Sequence, residues 1–478
     1  MTMTDDIKKK IADLLSSDDP DVRRRAAEDL GIQRGLAAIA GLAAALKDAN
    51  KGVRDAAAHA LLTMGGPNVA RAIVEYIADE NIVTRNLAGE LLRQLGGASV
   101  PALLPYLQDS SCDVRKFAVD LLGSVGSSAI ATEVVPLLQD PDQNVVDSAV
   151  EALGNLGNPE AVPHLINAYR QHEYTRATAI EALGKVGGPQ AAEFLLLAFN
   201  KKVAEQPSDA VVLCTIIESL GLVGDEHALI VMKHFVQKLH DKPRNALIHA
   251  IVRVSERTHG TIDLPGIQVK DLLDALTDGD PGIKASAAKC LASFAGEEVT
   301  MALLHSFAVA DELDNLLYDL LERRADALGC TVVLLTEHAM PVMQGVKLVG
   351  RLANRAIERI LRHEWLTVDE FMLARAFDVV AAEWQEADED LRTFIVDTLF
   401  RLDGDKTIGF LDTLMEDPDP WLRMHLIELL AAIGDRRVPA FVNRFLDDED
   451  EMVREVAGTT LQSFVPAVNG QFMNTQGM

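Results

Sequence analysis

The chain has 478 residues, of which 48% are apolar and only 5% aromatic, and it carries a formal charge of -27. A negative field of that size repels nucleic acid and anionic lipid, and no apolar run approaches the roughly 20 residues that a bilayer span requires. The four cysteines, Cys112, Cys214, Cys290 and Cys330, lie far apart with no CxxC, and the opening MTMTDDIKKKIADLL lacks the apolar stretch of a secretion signal, so a cytoplasmic protein with reduced thiols is expected.

From the first helix onward the chain repeats every 30 to 31 residues. Arg23, Arg54, Arg85, Arg115 and Arg176 fall at steps of 31, 31, 30 and 61, with Val146 in the skipped slot. Arg392, Arg423 and Arg454 resume the pattern at steps of 31. A pair of short helices takes about that many residues, so the period predicts a stacked helical array in which each unit packs on its neighbours. One unit reads clearly from Pro159 to Gly188. Proline opens the first helix, where its missing N–H costs nothing, and Val162, Leu165 and Ile166 follow at helical spacing. A polar turn leads to a second helix with an apolar face of Ala179, Ile180 and Leu183, and glycine closes it. The closing glycine recurs at Gly65, Gly96, Gly126, Gly157, Gly224, Gly296, Gly404 and Gly434. An aspartate stands six residues before the arginine in Asp48/Arg54, Asp79/Arg85, Asp109/Arg115, Asp417/Arg423 and Asp448/Arg454. The aspartate is expected to cap the second helix, and the arginine to reach a neighbouring unit.

In chain order, residues 8–260 form a first block of repeats, regular to 188 and looser after it. NKKVAEQPSD at 200–209 is expected as a long inter-helix loop, and ERTHGTIDLPG at 256–266 as a linker or hinge. One repeat follows at 264–297, with Lys284 in the arginine slot. Residues 298–385 lose the phase and are expected to form longer helices. Regular repeats return at 386–464, where the acidic run Asp447 to Glu451 suits a polar end cap, and 465–478 reads as a disordered tail.

The segments DPDVRRRAAEDLG, DANKGVRDAAAHALLTMGG, DSSCDVRKFAVDLLGSVG, DPDPWLRMHLIELLAAIG and DDEDEMVREVAGTTL resemble HEAT repeats, most of all the short bacterial subtype also found in phycobilisome lyases. The resemblance implies an all-α fold, a right-handed α-solenoid of stacked antiparallel helix pairs whose second helices line the concave side. It also implies a scaffold or adaptor that binds another protein, in a bacterial signalling or assembly complex. A bilin-lyase-like or chaperone-like attachment factor is the alternative from the same family. Nucleic-acid binding through the groove is a third, disfavoured by the charge.

Two constellations stand out. Five residues after each arginine slot lie Glu28, His59, Glu90, Asp120, Glu151 and Glu181, and later Asp397 and Glu428, away from the Ala/Leu face. Stacked, they form an acidic column suited to a basic helix or peptide, although Arg24 with Glu28 and Lys116 with Asp120 also sit at pairing distance along their helices. In the irregular region Lys347, Arg351, Arg355, Arg359 and Arg362 form a basic stripe along one helix face, suited to an acidic partner, a phosphate or another copy of the chain. Asp140, Asp142, Asn144 and Glu151 imitate a calcium loop, but Val145 occupies the position that requires glycine. No HExxH, GxGxxG, P-loop or GxSxG occurs, so no catalytic, metal or cofactor site is expected.

Overall fold

The computed structural model describes residues 3–33, 35–204, 210–258, 262, 264, 266–361, 367–433 and 437–464. Among the described residues every regular element is a helix and no strand occurs. The chain is an all-α solenoid that falls into two compact units, Met1–Gly266 and Ile267–Met478.

In the first unit the second helices of successive repeats are Pro20–Gln33, Lys51–Met64, Ile82–Gln94, Cys112–Val125, Gln143–Leu156 and Arg176–Val186. Most of them pack extensively on their successors. The first helices are shorter, and three end in a tighter 3-10 turn: Pro67–Ile73 runs into Val74–Ala78, Val100–Leu103 into Leu104–Gln108, and Ala131–Val134 into Val135–Gln139. In the last two the change falls at Pro105 and Pro136, which lack the N–H that an α-helical bond would need.

The aspartate before the arginine is not the helix cap. Asp48 Oδ1 accepts the N–H of Asn50 at 2.8 Å, and Asn50 is the cap, accepting from Gly52 and Val53. Asp140 and Asp142 repeat this arrangement. The aspartate thus makes an Asx turn two residues before the cap, and its remaining acceptor capacity faces the preceding unit. There it receives that unit's arginine, 25 residues earlier in the chain. Arg23 Nε and Nη2 bond Asp48 at 2.8 and 3.0 Å, and Arg115 bonds Asp140 at 2.8 and 2.8 Å. Arg423 bonds Asp448 at 2.9 and 2.9 Å, and Arg392 Nη1 bonds Asp417 at 2.8 Å. The arginine also closes its own turn, Arg54 Nη1 donating to Asp48 O at 2.7 Å and Arg423 Nη1 to Asp417 O at 2.6 Å. Hydrogen bonds from Arg23 and Arg115 hold the carboxyls of Asp48 and Asp140 below the usual range. Burial pushes Asp448 up, but Arg423 and the Asp450 N–H outweigh it and hold it low as well.

The breaks in this ladder have local causes. Asp79, 25 residues after Arg54, is taken by Lys47 at 2.6 Å. The position 25 residues after Arg85 is Ser110, and Arg85 keeps only the carbonyl of Asp79 at 3.1 Å. Val146 is fully buried in its slot, and the acceptor it would need is replaced by Gln171, so donor and acceptor are lost together. Arg176 turns to Glu173 within its own repeat at 2.9 Å. Lys284 donates to a different carbonyl, Leu276 O, at 2.6 Å.

A second contact recurs that the arginine pattern does not reveal. Gly31, Gly123, Gly154 and Gly184 stand eight residues after their slots and face Ala60, Ala152, Ala182 and Ser219 of the next second helix. A Cβ on Gly154 would lie 2.7 Å from the Ala182 Cα, and one on Gly123 2.8 Å from the Ala152 Cα. These helices therefore approach almost backbone to backbone.

In the second unit helices continue through 298–385. Glu297–Leu304, Asp311–Leu321 and Ala327–Thr336 have ordinary lengths, whereas Val342–Leu361 and Thr367–Ala382 run to 20 and 16 residues. The loop expected at 200–209 is corrected at its start: helix Pro189–Ala204 continues through Ala204, since Asn200 to Ala204 contain no breaker, and 205–209 lie outside the described residues. Residues 259–261, 263 and 265 of the expected linker, and the tail 465–478, also lie outside them.

Replacing Arg115 with Ala is expected to cost about 2–3 kcal/mol of unfolding free energy in urea titrations, because Asp140 is left largely buried without its cation. Arg54→Ala should cost about 1 kcal/mol, since Asp79 keeps Lys47. Equal losses would show that the bridge to the next unit adds nothing. Gly154→Ala should destabilise by about 1–3 kcal/mol despite the better helix propensity of Ala, whereas Gly409→Ala, with open space around it, should stabilise slightly.

Candidate protein-docking surfaces

The acidic column sits beside the glycine contact. Glu28 and Gly31 are three residues apart on helix Pro20–Gln33, so they share one side of it. Glu28 is exposed, and so is His59 on the next second helix. Together with Arg24, Ile32, Asp55 and Thr63 they line one open groove between the two helices. Ile32 is 81% exposed at its edge. Glu90, Glu151, Glu181 and Glu428 are exposed as well, and Asp120 and Asp397 are half-buried.

The members differ in how free they are. Glu90 accepts from Gln94 at 2.7 Å and pairs with Arg93 at 2.6 Å, contacts that lower its pKa. Asp120 pairs with Lys116 at 2.8 Å. Glu28, Glu151 and Glu181 have no ion-pair partner among the described residues, and the Arg24 side chain turns to Asp21 at 3.6 Å. Asp147, one turn before Glu151, buries Oδ1 with no hydrogen-bond partner.

In the second unit a histidine outside the column lies against two of its members. His425 Nε2 lies 2.8 Å from Asp397 Oδ1, and its Nδ1 lies 3.9 Å from Glu428. The hydrogen bond to Asp397 raises the imidazole above its ordinary pKa, against burial, and the negative charge of Glu428 adds to it. His425 sits two residues after Arg423 on helix Pro420–Ile433, and Asp397 five residues after Arg392. That relation between units was the only trace of the pair in the sequence.

The basic stripe lies on helix Val342–Leu361. Arg351 is committed to helix Asp311–Leu321 and the residue that follows it: it pairs with Glu322, bonds Asp319 at 2.9 Å and stacks 5.0 Å from the Tyr318 ring centre. Arg355 is exposed and donates to the backbone carbonyl of Glu322. Lys347 lies over the Phe394 ring at 4.2 Å. Arg359 belongs to the helix, and Arg362 lies outside the described residues.

The calcium-loop imitation is spent otherwise. Asp140 holds Arg115, and Asp142 caps helix Gln143–Leu156. Among the described residues no group of three His, Cys, Asp or Glu side chains is placed to hold a metal ion. All four cysteines are free, and burial pushes the Cys290 thiol up to about 12 and also raises Cys330, so neither is a ready nucleophile. No described helix is long and apolar enough to cross a membrane.

Proton NMR should place the His425 pKa above 6.5, and Asp397→Asn should return it toward that value. Because the folded pKa is raised, the stabilisation is complete below the unfolded value and is lost as pH rises through the folded one. A His425 titration unmoved by Asp397→Asn would contradict the pairing.

The family model for HEAT repeats matches residues 9–93, 100–174 and 378–462, together more than half of the chain, and the model for the PBS lyase HEAT-like repeat matches 175–201. No curated protein matches the sequence significantly. Among solved structures the chain is similar to that of the Kap95p complex with RanGDP, at 14% identity and a TM-score of 0.56, over 96% of this chain and 72% of that one. It is also similar to importin beta crystallised in polyethylene glycol, at 14% identity and a TM-score of 0.50, over 96% and 77%. These likenesses concern the fold. With arginine-to-aspartate bridges, glycine-packed second helices and the family match in agreement, the chain belongs to the HEAT-repeat family.

Proposed function

We propose that this chain is a non-enzymatic protein-binding scaffold or adaptor, and that its first unit takes a basic, helical segment of another protein along Glu28, Glu90, Asp120, Glu151 and Glu181. The observation that carries this reading is the pairing state of the column. Three of these carboxylates, Glu28, Glu151 and Glu181, are exposed on packed second helices without a cation of their own. Glu151 and Glu181 lie on adjacent packed second helices, where unpaired like charges repel one another, so a cationic partner relieves a cost that the free protein carries. The exposed Ile32 beside Glu28 and His59 adds an apolar anchor at one end of the column. Kap95p, whose solenoid this chain resembles, binds RanGDP, and a protein partner is the corresponding expectation here. The short-repeat type suggests a signalling or assembly complex in the bacterial cytoplasm.

The test is fluorescence anisotropy with a lysine-rich amphipathic peptide. Binding should be saturable and weaken with salt, as surface charge pairs do. Changing Glu28, Glu151 and Glu181 together to Lys should weaken it about tenfold or more, with the circular dichroism melt preserved. Unchanged affinity in that variant would remove the column from the binding surface.

A further inference from the structure

The second unit holds a small pocket of opposite sign. It lies between the turn that follows helix Asp311–Leu321 and helix Val342–Leu361. Three arginines, Arg323, Arg324 and Arg355, contribute to its lining, over a floor that includes Leu352 and Ala356. In a chain of net charge -27 such a concentration stands out. Its one lining carboxylate, Glu322, is already paired with Arg351. Arg324 is a fixed wall: it donates to Phe294 O at 2.8 Å, to Gly296 O at 3.0 Å and to Thr300 Oγ1 at 2.6 Å. Arg323 and Arg355 are different. Both are exposed, neither has an ion-pair partner among the described residues, and Arg355 bonds only the Glu322 backbone carbonyl.

We propose that this pocket binds an oxyanion carried on a peptide, a carboxylate or phosphoryl side chain held between Arg323 and Arg355. A guanidinium offers parallel N–H donors that match either group. The volume, about 190 Å³, suits a single side-chain group rather than a whole cofactor, which usually needs a pocket of roughly 300 Å³ or more. The floor residues Leu352 and Ala356 favour an aliphatic neighbour of the acidic group, hence a peptide over a free ion. The inference is independent of the acidic column, since it concerns the other unit and a ligand of the opposite charge.

Anisotropy with fluorescein-labelled ten-residue peptides tests it. One alternates Glu with Leu, one replaces the central Glu with phosphoserine, and one replaces every Glu with Lys. Inorganic phosphate serves as competitor, against potassium chloride at matched ionic strength. Saturable binding of the Glu or phosphoserine peptide, absent for the Lys peptide, is expected, and the tighter of the two identifies the preferred oxyanion. Arg323→Gln should weaken it about tenfold, and the double change with Arg355→Gln should weaken it further. Among the described residues the Arg323 side chain has no hydrogen-bond or ion-pair partner, so its replacement is expected to leave the fold intact, and Arg25→Gln, an exposed change in the other unit, should have no effect. Equal affinity of wild type and Arg323→Gln for the acidic peptides overturns the proposal. So does competition by chloride as strong as that by phosphate, or binding to anionic vesicles with none to either acidic peptide.

Discussion

Where the ladder is complete, neighbouring units are joined by one carboxylate that serves its own turn and the unit before it. Asp140 turns its own loop by accepting the Asp142 N–H, receives Arg115 from the unit before, and is held ionised by both. A helix pair cannot bury its apolar face alone, so a solenoid needs a device that sets how successive pairs meet. The bidentate Arg–Asp contact does this because its geometry is narrow: two parallel N–H donors fix both distance and angle. Burial makes it consequential. At Arg423, 4% exposed, neither charge could remain without the other except at considerable cost.

The glycine contacts complete the same design further along the second helix. The arginine fixes the turn end of the pair, and Gly123 or Gly154 lets the middle of the helix come within contact of the next backbone. Close approach leaves little room for side chains between second helices. Glu28, Glu151 and Glu181 stand three residues before Gly31, Gly154 and Gly184 and are exposed beside these contacts.

Where the ladder stops, charges find other partners. In the region with no arginine slot, Arg351 reaches back to Asp319 and Glu322, a link between neighbouring helices made with different residues. The function proposed for the second unit rests on what is left after such pairing, Arg323 and Arg355, just as that of the first rests on Glu28, Glu151 and Glu181. In both units the side chains of interest are those that structural pairing does not use.

Much of this was legible in the residues alone. Helical class, repeat length, the position of the arginine and the phase of the acidic column follow from local periodicity, because each is written within a single 30-residue unit. The cap lies two residues beyond the expected aspartate, since Asp48 and Asn50 are both good acceptors and only backbone geometry assigns the turn to one and the cap to the other. What tertiary structure alone decided is which residue meets which across units. Arg115 finds an aspartate 25 residues on while Arg54 loses its own to Lys47, Val146 lapses together with Gln171, and His425 settles on Asp397. The physical reason is that helical periodicity orients a side chain about its own axis, whereas the distance to a neighbour depends on how two helices stack, and that is set jointly by residues far apart in the chain.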